Sequence, residues 1–290
     1  MEKRLSVMIV LLMVAATIFA GGKQETQAPV TAPASAPAVT ATYDSTFKGD
    51  LAFGGSTTVD PIITAAIEEW KELYPNVHIS YEGVGSSTGI KGVLAGTYSL
   101  GAASRELKAA EAASGAVTTA VALDAIAVVV NSNSVSLSNL SVEDVAKIYA
   151  GEITNWKELG GADSSIVVFN RDEASGTYET FEKKVMGKTE FMKAASVTTG
   201  NGDMAAKVGA TPNAIGYVGL GFISEKGLKP LSLNGVEASI KNVYNGTYAV
   251  QRNLNVVFTE LGKIEDAFVN YILSKDGQDI VADLDFIPLP

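Results

Sequence analysis

Three short stretches set small hydroxyl residues beside glycine where a strand pattern gives way to a helix pattern. They are Gly54-Gly55-Ser56-Thr57-Thr58, Gly83-Val84-Gly85-Ser86-Ser87-Thr88-Gly89 and Ala174-Ser175-Gly176-Thr177. The first-turn amides of a helix lack internal acceptors, and the helix dipole places partial positive charge there. Hydroxyls add donors and glycine lets backbone approach closely, so three such ends converging would cage a small anion with neutral donors. Any one of them alone is an ordinary N-cap. Three of them, one preceded by an arginine, point to an anion site. Arg171 stands at the end of a strand pattern, four residues before Ser175, so its planar fork can reach the same pocket and match two oxygens of an oxyanion. Glu173 is placed to hold that fork from behind. Taken alone, Arg171-Asp172-Glu173 would read as an exposed turn with local ion pairs worth about 0–1 kcal/mol.

Other chemistries find less support. The chain has no cysteine and one histidine, His78, which removes disulfides and thiol catalysis and leaves no transition-metal site to expect. His78 sits in an alternating strand pattern, no GxSxG elbow is present, and no base stands beside a serine. A serine-dependent hydrolase is therefore the lesser alternative, and neither enzyme activity nor a cofactor is expected. The glycines of 83–89 miss dinucleotide spacing by one, and Gly187-Lys188-Thr189 imitates a P-loop end but has Glu182 where the first glycine belongs. Trp156 and Phe181 read as core. The formal net charge is −10 with no basic stripe, so nucleic acid is not an expected partner. That charge does not exclude an anion, because exposed charges beyond about 8 Å are largely screened at physiological salt.

The elements that must position these residues follow from patterning. Lys3 and Arg4, the apolar run Val7–Ala16 and the small residues up to Ala20 read as a signal peptide over residues 1–20, with an uncleaved anchor as the alternative. No cysteine stands at the cleavage site to make a lipoprotein. Residues 21–46, rich in Ala, Pro, Thr and Gln, read as a disordered tether, so the fold begins near Phe47. Asp50–Phe53 and Val77–Tyr81 predict strands; Ile63, Ile67 and Trp70 recur at helical spacing until Pro75, and a second helix pattern runs through Val93 and Leu94. Asp124–Val130 predicts a buried parallel strand, Ile166–Phe169 another strand, and Tyr178–Val185 a helix. The class is α/β, built of strand–loop–helix units.

At this point the residues resemble a known family. GGSTTVDP (54–61), YEGVGSSTGI (81–90), SRELKAAE (104–111), GEITNWKELGG (151–161), NRDEASGTYETF (170–181), AIGYVG (214–219) and YAVQRNL (248–254) are similar, in this order, to the phosphate-binding proteins of ABC importers. The resemblance runs from Asp50 to near the end of the chain. It implies a two-lobed type II periplasmic-binding-protein fold with two crossing hinge strands and one anion between the lobes. It places lobe 1 at 47–125 and 254–290 and lobe 2 with the hinge strands at 126–253. It further implies an extracytoplasmic monomer that binds inorganic phosphate and delivers it to a membrane permease.

Carried over by position, the family's ligand groups fall on Ser56, Thr57 and Thr58, on Ser86, and on Arg171, Ser175, Gly176 and Thr177, with Glu173 as the brace of the arginine. One departure matters. Better-known members have an aspartate that accepts the proton of hydrogen phosphate and so rejects sulfate; here Gly101-Ala102-Ala103-Ser104-Arg105 puts Ser104 at that place. Ser-Arg also occurs in a shorter branch of the family. Sulfate or another tetrahedral oxyanion is accordingly the competing ligand, unless Asp124 or Glu82 supplies the acceptor. Arg105 has two open readings: a second charge in the pocket, or a partner for Asp124 near the crossing strands. Arg252, near the return strand, reads as a hinge ion-pair residue.

Overall fold

The computed structural model describes residues 46–290. The signal-peptide reading of residues 1–20 lies outside the described residues, as does the tether reading of 21–46 apart from Thr46. The first stretch runs β1 (Gly49–Gly55), α1 (Asp60–Leu73), β2 (Val77–Glu82), α2 (Ser86–Leu94), β3 (Leu100–Ala103) and α3 (Ala109–Ala113). The middle runs β4 (Val117–Asn131), β5 (Asn139–Leu140), α4 (Val142–Ala150), β6 (Val167–Arg171), α5 (Gly176–Phe181), β7 (Ser196–Thr198), α6 (Asn201–Ala210) and β8 (Ala214–Gly219). The chain then adds β9 (Leu228–Pro230), β10 (Ser232–Leu233), α7 (Ile240–Tyr244), β11 (Gln251–Phe258), α8 (Lys263–Leu273) and α9 (Lys275–Asp283).

Local chemistry accounts for the helices that reach the cleft. α1 opens with Asp60 in its first turn and Pro61 at a position where a missing N–H costs nothing. Ile62, Ile63, Ala66 and Trp70 form its buried stripe, and Pro75 follows the cap residue Tyr74. The helix expected over 178–185 starts two residues earlier as α5 and widens into a π-helical turn over Glu182–Met186.

The long strand β4 organises the molecule. Its first part, Val117–Ala125, pairs antiparallel with β11, which pairs with β3 and through it reaches β1 and β2. Its second part, Ile126–Asn131, pairs with β8 and β9, and β8 leads on to β6 and β7. The expectation of a parallel strand at Asp124–Val130 is corrected: β4 is antiparallel to every partner it has among the described residues. Side-chain alternation explains the misreading. Ile126, Val128 and Val130 enter one core while Ala127 and Val129 face Met204 and Val208 on the other side. A run apolar at every position records two covered faces, and says nothing about strand direction.

Two large cores result. One gathers Phe53, Ile62, Ile63, Trp70, Leu254, Phe268 and Phe286; the other gathers Val128, Tyr149, Trp156, Phe181, Tyr217 and Val250. The fold is the two-lobed type II periplasmic-binding arrangement, with β4 and β11 crossing between the lobes. Ile287 packs into the second core beside a Phe286 that belongs to the first, so the final residues touch both.

Ile126 marks the point on β4 where pairing passes from β11 to β8, and it is fully buried. Ile126→Ala is expected to lower unfolding stability by about 2–5 kcal/mol, read by urea denaturation. A loss below about 1 kcal/mol would show that this junction is loosely packed.

Candidate anion-binding site

The strands deliver the site residues from their carboxyl ends. Gly54 and Gly55 close β1 and lead into Ser56, Thr57 and Thr58; Ser104 follows β3; Arg171 closes β6; and Thr198 closes β7 just before Asn201. Thr57, Thr58, Ser86 and Ser104 come from the stretch of β1 to β3, and Arg171, Gly176, Thr177 and Asn201 from that of β6 to α6. All except Thr57 are buried. The lobes meet here at hydrogen-bond distance, since Thr58 Oγ1 and Thr177 Oγ1 are 3.1 Å apart.

Arg171 dominates the electrostatics. It is 3% exposed and makes no ion pair among the described residues. Its Nη2 donates to Thr57 Oγ1 (3.3 Å) and to the Thr199 carbonyl (3.4 Å), while Nε and Nη1 are buried with no acceptor. Burial holds the guanidinium below its ordinary range; Tyr217 and Asp172 oppose it, and the like charge of Arg252 adds a lesser push the same way. A buried fork with two unmatched donors is poised for a divalent oxyanion.

A second buried arginine fills the lone pairs of the hydroxyls. Arg252 Nε and Nη2 grip Asp124 Oδ2 at 2.9 and 2.7 Å, across strands where the two residues are register partners. Arg252 Nη1 also donates to Thr177 Oγ1 (2.9 Å) and the Ser104 carbonyl (3.1 Å), and Nη2 to Thr58 Oγ1 (3.2 Å). Asn201 Nδ2 donates to Thr58 Oγ1 at 2.9 Å and Thr57 Oγ1 at 3.2 Å, its amide oriented by Gly219 N on Oδ1. A hydroxyl has two acceptor lone pairs and one proton. Thr57 Oγ1 accepts from Arg171 and Asn201, so its own proton is free to point into the cleft. Thr58 accepts from Asn201 and Arg252 and so passes its proton to Thr177. Thr177, then holding two donors, also turns its proton outward.

Ser86 and Ser104 form the other corner. Ser104 N donates to Ser86 Oγ at 3.1 Å, and the two hydroxyls are 3.4 Å apart. A Cβ on Gly176 would lie 2.3 Å from Ser86 Oγ and 2.8 Å from Ser104 Oγ, so only glycine lets α5 come this close. Acceptor capacity among the site hydroxyls remains at these two serines, and no carboxylate among the described residues bonds any of them.

The remaining expected site residues lie nearby in other roles. Ser56 Oγ accepts from Thr58 N (3.1 Å) and Ser175 Oγ from Tyr178 N (3.2 Å), so both shape the backbone of their turns. Arg105 faces neither the pocket nor Asp124, which corrects both readings: its Nη1 and Nη2 lie 2.8 Å from the two oxygens of Glu111, with Ser87 Oγ at 2.9 Å. Glu173 does not brace Arg171, because it lies in an exposed turn and forms no bond or ion pair among the described residues. Glu82 is exposed and accepts from Tyr98 Oη at 2.9 Å. Asp124 serves Arg252, with Oδ1 taken by Leu220 N (2.9 Å). Asn201 was not anticipated, although Thr198-Thr199-Gly200-Asn201-Gly202 repeats the small-polar turn before a helix. No group of residues suited to a metal ion occurs among the described residues.

Residues 31–276 match the family model described as a PBP superfamily domain. The phosphate-binding protein PstS of Borreliella burgdorferi is 35% identical over 251 residues, covering 82% of this chain and 89% of that protein. The phosphate-binding protein PstS of Bacillus subtilis is 32% identical over 247 residues, covering 83% and 81%. A substrate-binding protein from Clostridium perfringens, assigned to phosphate ABC transport and solved with bound phosphate, superposes with a TM-score of 0.80 at 36% identity, covering 83% of this chain and 100% of that one.

Removing one partner of a buried ion pair strands the other charge. Asp124→Ala is expected to destabilise the fold by about 3–5 kcal/mol, measured by chemical denaturation without ligand. A near-neutral result would show that the threonines and the Ser104 carbonyl suffice to hold Arg252.

Proposed function

We propose that this chain, which belongs to the PBP superfamily and within it to the phosphate-binding PstS family, is the extracytoplasmic receptor that captures inorganic phosphate for an ABC importer. The observation that carries the proposal is Arg171, a buried guanidinium whose Nε and Nη1 lack acceptors. Phosphate oxygens would take that fork, the outward protons of Thr57 and Thr177, and the first-turn amides of α2 and α5. Ser86 and Ser104 would receive the proton of hydrogen phosphate, since they keep acceptor capacity.

The rest of the assignment follows from this reading. We take lobe 1 as residues 47–125 and 254–290 and lobe 2 as 126–253, a division supported by the two cores and by the change of partners along β4. Export through the N-terminal signal, delivery to a membrane permease and action as a monomer belong to the same proposal. No helix among the described residues is long and apolar enough to cross a membrane. Binding without turnover is favoured chemically, because among the described residues Ser86 bonds no side chain but that of Ser104 and no base bonds a site hydroxyl.

Sulfate is the second reading, favoured by the lack of any carboxylate bonded to a site hydroxyl. A cage that mainly donates suits a fully deprotonated dianion, and large rejection ratios need a group left unpaired by the wrong ligand.

Two measurements test the site. Arg171→Ala is expected to weaken phosphate binding by about 2–5 kcal/mol in calorimetric titration; tight binding retained in a folded variant would place the pocket elsewhere. In competition at neutral pH, sulfate is expected to displace phosphate measurably from the parent and less from Ser104→Asp, because a carboxylate accepts a proton and repels sulfate. A parent that ignores a large excess of sulfate, with a variant that binds phosphate worse, would show another acceptor at work.

A further inference from the structure

Outside the anion site, the densest charged cluster among the described residues lies where α2 and α3 meet α5. Arg105 is 4% exposed and is prepared entirely within the first lobe. Its Nη1 and Nη2 each contact a Glu111 oxygen at 2.8 Å, Nη1 also reaches the Glu106 carbonyl at 2.9 Å, and Nη2 reaches Ser87 Oγ at 2.9 Å. One carboxylate crosses from the second lobe. Glu179, one turn along α5 from Gly176, brings Oε2 to 3.1 Å from Arg105 Nε, a charge contact without hydrogen-bond alignment. Glu179 Oε1 accepts from Ser87 Oγ at 2.9 Å and lies 3.0 Å from Lys108 Nζ.

The charge balance shows what the cluster lacks without Glu179. Arg105, Lys108 and Glu111 leave the first lobe with one uncompensated positive charge, and Glu179 cancels it. Arg105 needs no rearrangement to receive that carboxylate, because Glu111, Ser87 and the Glu106 carbonyl already fix its plane. The entropy cost of docking therefore falls mainly on Glu179, itself held on a helix. The latch also shares its mounts with the anion site. Ser86 lines the pocket while the next residue, Ser87, bonds Glu179; Thr177 lines the pocket two residues before Glu179. Ser87 N further donates to the Ala174 carbonyl at 3.0 Å, joining the same two segments.

We propose that Glu179 is an inter-lobe latch, a positioning residue that docks into a socket made by Arg105, Ser87 and Lys108 and so governs how readily the cleft opens and the anion leaves. It touches no ligand in this scheme. The proposal rests on the two-lobed fold and on no particular anion.

Glu179→Gln keeps the size and the Ser87 bond while removing the charge, and Lys108→Ala trims the exposed arm of the socket. In small-angle scattering of the ligand-free full chain, Glu179→Gln is expected to give a more open average shape than the parent. In stopped-flow release of inorganic phosphate at low salt, the rate should rise about 10-fold for Glu179→Gln and less for Lys108→Ala. Parent release should accelerate with added salt more steeply than release from Glu179→Gln, since screening weakens the pair that Glu179 makes with the exposed Lys108. Unchanged ligand-free scattering together with parental release and salt dependence, in variants with the parental melting temperature, overturns the latch. Should Glu179→Gln lose its fold, the same readouts on Lys108→Ala decide. The ligand-free scattering stands even if phosphate proves not to bind, which separates failure of the latch from failure of the phosphate reading.

Discussion

A guanidinium withdrawn from water loses several kcal/mol of solvation that its surroundings must replace. The cleft contains two such groups, and the protein treats them differently. Arg252 receives a full carboxylate in Asp124 as well as hydroxyl and carbonyl acceptors. Arg171 receives one hydroxyl and one carbonyl at long range, both through the same nitrogen. Acids near Arg171 are committed elsewhere: Asp172 Oδ1 accepts Ala174 N at 2.8 Å, and Asp203 takes Thr199 N and Lys207 at 3.1 and 3.0 Å. One buried positive charge is thus left over at the place where the two lobes touch. Neutral donors around it add affinity for an anion without adding repulsion against the acidic whole, whose net charge is −10.

The fold creates this arrangement by directing strand ends. β1 and β3 are parallel neighbours in one half, β6 and β7 in the other, and each releases its chain toward the cleft. Ligands collect at such carboxyl ends in α/β sheets. The crossing strands then tie the site to the hinge, because Arg252 and Asp124 are register partners on β11 and β4 while Arg252 also holds Thr58 and Thr177. One side chain therefore belongs to the hinge ion pair and to the orientation of the site's hydroxyl protons.

Legibility from sequence tracked the range of the interaction. The glycine–hydroxyl turns were readable because turn chemistry is local: α2 begins at Ser86 directly after Gly85, and α5 follows Ser175, whose hydroxyl caps it. Arg171 was readable because it belongs to such a turn. Contacts made by long side chains across sequence distance were not. Arg105 went to Glu111 and Glu179, a choice that depends on where α3 and α5 pack. Arg252 was placed correctly with an ion pair, but its reach to Thr58, 194 residues away, has no sequence signature. The direction of β4 was hidden for a different reason, since burial on both faces produces the same apolar run for either orientation.

The leftover charge also bears on how the proposed site would release an anion. With the lobes together, Arg171 Nε and Nη1 are shut away from solvent, and an anion is the partner that matches their charge and geometry. Were the lobes to part, water would reach the same nitrogens and solvate them. On the proposed function, the cation would favour two states, closed on an anion and open to water, and would penalise closure without either. Contacts between lobes that involve no ligand oppose that penalty and shift the balance toward closure. The strength of capture is then set jointly, by the charge that wants an anion and by the surfaces that meet around it, and either can be tuned while the other stays fixed.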